Sequence, residues 1–128
     1  VRFSSLSNRY DTPNGHAGLL TIGGGKFHSD SSDKEWVEVT FPKVSQVNAI
    51  VIDNAKSHHG RAVPLTIEVS VDGESWTEIK RIDKASAQWQ IDLRDQPPTA
   101  RFLRINGAVG RSDYLHFRRI LVYGKAKS

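Results

Sequence analysis

The 128-residue chain contains no cysteine and no methionine. Disulfide staples and thiolate metal sites are thereby excluded, and the redox state of the compartment leaves no mark on the sequence. No apolar run approaches the roughly 18 residues that a membrane-spanning helix needs, and no secretory leader opens the chain. No segment keeps a helical period beyond one turn. A Gly-x-Ser-x-Gly elbow is missing, and Gly23-Gly24-Gly25 reads as a flexible turn rather than a phosphate cradle. His58-His59 with Asp53 could in principle hold a metal, yet two adjacent histidines make poor joint ligands and a third is not placed. Neither catalysis nor a cofactor is expected. The chain opens at Val1 and lacks methionine, so it reads as a module of a longer protein.

What is present is ordinary in bulk and informative in pattern. Hydrophobic residues make up 38% and there are ten glycines, a composition that suits one domain over residues 1–128. A chain of this length buries about two-thirds of its unfolded surface and folds without a staple. The net charge of +4 serves solubility and also favours an anionic partner. Arg81, Lys84, Arg94, Arg101 and Arg104 are scattered, whereas Arg111, Arg118 and Arg119 are grouped. No basic stripe interleaved with aromatics marks a nucleic-acid module.

The strongest local signal runs from Leu65 to Ile79. Apolar residues at 65, 67, 69 and 71 alternate with polar ones, the mark of a half-buried strand. Asp72-Gly73 supplies a turn, and a second strand restarts at Trp76. Trp36 to Phe41 reads as a strand ended by Pro42, and Val47 to Asp53 as one buried on both faces. Further strands are expected near 88–93, 100–105 and 115–123, with residues 1–34 loop-like. Six to eight short strands between turns predict an all-β sandwich or barrel. Function would then sit on the loops.

Three segments in this order resemble a discoidin-like domain, the coagulation-factor F5/8 type C family. Glu35-Trp36-Val37-Glu38-Val39-Thr40-Phe41 resembles its early tryptophan strand, and Val69-Ser70-Val71-Asp72-Gly73-Glu74-Ser75-Trp76 its "V-S-x-D-G-x-x-W" hairpin. Ala100-Arg101-Phe102-Leu103-Arg104-Ile105, followed by Ile120-Leu121-Val122-Tyr123-Gly124, resembles its C-terminal ending. The resemblance implies an antiparallel, galactose-binding-like β-sandwich, or jelly roll. It is closest in style to bacterial carbohydrate-binding modules of family 32, with some likeness to fucose-binding lectins. In that branch a histidine, an arginine, an acidic residue and a loop aromatic meet at one end of the sandwich. The matching positions are His28 after Phe27, Arg61, Asp11 and Tyr114. Many members also hold a structural calcium, but Thr21-Ile22-Gly23 and Arg119 stand where its carboxylates would be. No metal is expected there.

These residue types suit a sugar. Arg61 can donate two parallel hydrogen bonds to vicinal oxygens. His28 or His59 can donate from one ring nitrogen and accept at the other. His58 and His59, if extended, point to opposite sides, so only one faces a ligand. Asp11 would accept from hydroxyls, though Asp before Thr-Pro-Asn-Gly is also an ordinary turn former. Tyr114 would stack under a C–H face. Phe27 and Trp36 read as core, His116 as a structural strand residue, and Glu68, Glu78 and Asp92 as solvated strand positions.

The expected protein is a monomeric, non-catalytic module that recognises galactose- or fucose-type glycans. It would target a linked enzyme of a secreted parent, extracellular, cell-surface or periplasmic, to its polysaccharide. The basic balance, with Lys56, Arg111 and Arg118 near one end, makes a sulfated or uronate polysaccharide a variant. The alternative is a cell-surface adhesion module binding protein or membrane, for which Leu19-Leu20 is the apolar candidate pair. No membrane insertion is expected.

Overall fold

A computed structural model describes residues 2–3, 19–20, 24–25 and 27–127. Eight strands are present among them: β1 (Arg2–Phe3), β2 (Phe27–His28), β3 (Trp36–Asn54), β4 (Leu65–Ser70), β5 (Thr77–Ile82), β6 (Gln88–Asp92), β7 (Thr99–Asn106) and β8 (His116–Ala126). Every pairing between them is antiparallel.

The organising element is β3, whose 19 residues serve both layers. Its first half pairs with β1 on one side and with β7 on the other, and β4 and β5 follow beyond β7. Its second half pairs with β6 and β8, and β2 closes that edge. The fold is the galactose-binding-like β-sandwich. One expectation needs correcting here: Pro42 does not end the strand. The ladder to β7 slips between Thr40 and Ser45, and proline is tolerated at such an irregularity because no ladder bond is demanded of it there.

On β4 Leu65, Ile67 and Val69 are buried as expected, but so are Thr66 and Ser70, so the strand is covered on both faces rather than half-buried. The pattern fails at Val71, which is 52% exposed, because the strand has already ended at Ser70. The turn is also longer than a two-residue hairpin. Asp72 Oδ1 accepts from the amides of Glu74 and Ser75, Gly73 takes φ 82°, and β5 begins only at Thr77. Trp76 therefore packs from the loop, its ring 6.5 Å from that of Phe102.

The core between the layers gathers Val37, Ile50, Ile52, Leu65, Ile67, Leu103, Ile105, Phe117 and Ile120, all fully buried. Each such side chain contributes about 1.5–3 kcal/mol relative to exposure. Phe27 is core as expected. Trp36 is half-buried, and the Arg104 guanidinium lies between its ring and that of Trp76, at 5.1 and 4.1 Å. Gly124 explains the terminal "V-Y-G": a Cβ there would stand 2.0 Å from the Gln46 carbonyl oxygen.

Candidate functional site

Register places the first member of the site. β2 pairs with β8 so that Phe27 faces Phe117 and His28 faces His116. Alternation then sends the two phenylalanines into the core and the two histidines to the other face, their rings 5.5 Å apart. Ser29 locks the register, its amide donating to the Leu115 carbonyl while its hydroxyl accepts from the Leu115 amide. His28 Nδ1–H donates to the Ser29 carbonyl at 2.8 Å.

The second member arrives on the loop between β3 and β4. His58 adopts left-handed backbone (φ 58°) and opens a 3-10 turn over His59–Arg61. Buried Ala62 pins this loop, its carbonyl accepting from the Ala108 amide at 2.8 Å. Arg111 completes the clasp by donating to the carbonyls of Gly60, Arg61 and Val63 and to the Asp113 carboxylate. Arg61 itself lies 3.9 Å from Asp113. Burial would push the Asp113 carboxyl up, but Arg111, the Tyr114 amide and the Arg61 charge hold it below its ordinary value.

The third member joins the other two. The Arg61 guanidinium sits 5.2 Å from the Tyr114 ring centroid, and the His28 ring lies 5.3 Å from the same centroid. His28, Arg61 and Tyr114 thus meet at one rim of the sandwich. Tyr114 is 37% exposed, which leaves part of its ring open to a ligand.

His59 is placed differently. Its Nε2–H donates to the Ala55 carbonyl at 2.9 Å, within its own loop. The extended geometry expected for His58-His59 does not occur, because His58 turns left-handed, and it is the His58 charge that bears on His116. Asp11 and Thr21-Ile22-Gly23 lie outside the described residues. Arg119, the other position singled out, bonds Asp53 at 2.6 Å. Burial would raise the Asp53 carboxyl, but hydrogen bonds from Gln88 and Arg119 and the charges of Arg119 and Arg118 keep it low. No group of three His, Asp or Glu with metal-holding geometry is found among the described residues. Leu19-Leu20 is no paired membrane anchor, since Leu19 is fully buried.

Two residues sit behind this rim, Asn54, which sequence reasoning passed over, and His116, which it read as structural. Asn54, 1% exposed, donates through Nδ2 to the carbonyls of His59 and Ser86. Its Oδ1 accepts from the Ala55 amide and from His116 Nδ1. His116 is 3% exposed, and burial, reinforced by the charges of His28, Arg61 and His58, pushes its pKa down to about 4. The signal for Asn54 was a polar residue ending an apolar run. His116, read from the sequence as a structural strand residue, lies between the core residues Leu115 and Phe117 and so takes the opposite face, where the fold nonetheless buries it.

Arg111→Ala is expected to lower stability by about 1–3 kcal/mol, as several hydrogen bonds to loop carbonyls are lost together. Arg111→Lys should not restore it, since an ammonium cannot fork across three carbonyls and a carboxylate. Thermal melts of the two variants check this.

The F5/8 type C domain profile matches residues 2–117, nearly the whole chain. The protein belongs to the F5/8 type C, or discoidin-like, family. No curated protein matches it by sequence. Among solved structures it is similar to a Streptococcus pneumoniae fucose binding module, SpX-3, with 19% identity and a TM-score of 0.78 over 98% of this chain and 93% of that one. It is similar also to CpGH89CBM32-6 of Clostridium perfringens, with 20% identity and a TM-score of 0.74 over 97% and 91% of the two chains. A third likeness is to chitosan-binding module 1 of a Paenibacillus chitosanase/glucanase, at 22% identity and a TM-score of 0.73 over 96% and 92%.

Proposed function

We propose that this domain is a non-catalytic carbohydrate-binding module that grips a galactose- or fucose-type glycan at the rim formed by His28, Arg61 and Tyr114. The observation that carries the reading is the convergence of Arg61 and His28 on one half-open tyrosine ring, at 5.2 and 5.3 Å. A sugar needs forked donors for vicinal hydroxyls and a flat ring under its C–H face; Arg61 and Tyr114 supply these, and His28 adds a ring nitrogen. Asp11 is a further acceptor in this reading. His59 contributes by fixing the loop rather than by touching the sugar. The neighbours' names support the ligand class, since they include a fucose binding module and a module complexed with GalNAc-β-1,3-galactose.

The module would act as a monomer within a secreted parent, extracellular, cell-surface or periplasmic, holding a linked enzyme on its polysaccharide. It needs no cofactor. Affinity for one hexose should be weak. About twelve heavy atoms at roughly 0.3 kcal/mol each give about −4 kcal/mol, near millimolar, so avidity or longer glycans supply the rest.

The test is a glycan array with titration calorimetry on wild type and Arg61→Ala. Binding should fall at least about tenfold in the variant, as a forked charge-assisted contact is lost. Unaltered binding would overturn the site, and sedimentation with liposomes in place of glycan would overturn the function.

A further inference from the structure

A cavity of about 380 Å³ shares His28 with the rim. Phe27, Phe117 and Ala55 contribute its apolar lining, and His28, His116, Lys56 and Arg118 its polar lining. No carboxylate is among these described lining residues.

The three grouped arginines divide here. Arg111 is spent on loop carbonyls and Asp113, and Arg119 on Asp53. Arg118 is exposed, and its Nε donates to the Asn54 carbonyl at 3.1 Å, which fixes the guanidinium at the cavity. Its charge acts on Asp53, whose oxygens already accept from Arg119 and Gln88. Lys56 is exposed and forms no ion pair with the described residues. Two cations therefore line one cavity that has no carboxylate among its described lining residues.

An independent observation lies deeper in the same wall. The Asn54 amide is oriented by its bonds to the His59 and Ser86 carbonyls, so Oδ1 faces His116 and its Nδ1 must carry the proton. His116 Nε2 is then a bare acceptor. It is the buried side-chain polar atom without a hydrogen-bond partner among the described residues. Such an atom costs about 1–3 kcal/mol until a donor reaches it.

We propose that this cavity is a subsite for an anionic substituent, a sulfate ester or a carboxylate, on the glycan held at the rim. Lys56 and Arg118 are its charge partners, and His116 Nε2 accepts from a hydroxyl beside it. The inference rests on the rim reading above and narrows its ligand to acidic glycans.

The test measures binding to a sulfated galactan, to polygalacturonate and to neutral galactan, for wild type and Lys56→Gln/Arg118→Gln. A control, Lys80→Gln/Lys84→Gln, removes the same charge from β5 and the loop after it. Wild type should bind at least one acidic polymer about tenfold or more tighter than neutral galactan. The double variant should lose that preference yet keep neutral binding, and the control should keep both. The polymer preferred by wild type names the substituent. Absence of any acidic preference would overturn the proposal, as would equal losses in the double variant and the control. Neutral galactan measured with Arg61→Ala reports on the rim alone, so the two readings can fail separately.

Discussion

Alanine at position 117 should lower the unfolding free energy by about 3–5 kcal/mol, the range for deleting a fully buried aromatic ring. Phe117 is 1% exposed, with its ring 6.2 Å from that of Phe27 and 6.5 Å from that of Trp89, edge-on. Removing it loses transfer free energy and those ring contacts, and leaves a void that opens into the cavity beside the rim. Domains of this size are stable by about 5–15 kcal/mol, so the loss is a large share of the total. Phe117→Leu keeps most of the volume and should cost about half as much or less. Urea unfolding at equilibrium measures both. A loss below about 1 kcal/mol for the alanine variant would show that the ring is not held in the core.

The second large effect depends on pH. The His116 pKa is about 4 in the folded protein against 6.5 for the free side chain, because burial disfavours the charged ring and the His28, Arg61 and His58 charges oppose it. The unfolded chain thus takes up the proton first as pH falls. Stability contributed by the neutral ring is complete above about pH 6.5 and is lost progressively down to about pH 4. The full shift corresponds to a loss of about 2–3 kcal/mol after allowance for solvent screening near the rim. Asp53, Asp72 and Asp113 have carboxyls held low, and Asp92 lies at about 2, so their contributions are lost only below their ordinary value of 3.8. The window from 6.5 to 4 therefore isolates the histidine among these shifted groups. Denaturant midpoints across it should slope in wild type and flatten in His116→Asn. Equal slopes would place the ring in water.

Much of the scaffold was legible because strand periodicity is local. Leu65, Ile67 and Val69 announce a strand from five consecutive residues, and the structure buries all three, though it also buries Thr66 and Ser70 on the face expected in water. The errors arise where a distant partner decides. Pro42 looked like a stop, but the slip of the β3–β7 ladder accommodates it, and that slip depends on residues about 60 positions away. Val71 fits the alternating pattern, yet Asp72 pulls the chain into its own turn one residue early.

The rim divides the same way. His28, Arg61 and Tyr114 were marked by resemblance, and the fold brings their side chains together. The hub behind them was only half legible: His116 reads as a structural strand residue, but its bond to Asn54 spans 62 residues and leaves no local mark. His59 takes its place from a local feature: it follows the left-handed turn at His58, and its Nε2–H donates to the Ala55 carbonyl.

Because β3 runs unbroken through both layers, the amide protons of the two sheets are tied to one another. Opening one half of β3 frays the ladder it shares with β7, while opening the other strips β6 and β8 from their common partner. Hydrogen–deuterium exchange from the slowest amides of the two layers should therefore proceed at matching rates through a single global opening, with no separately melting half.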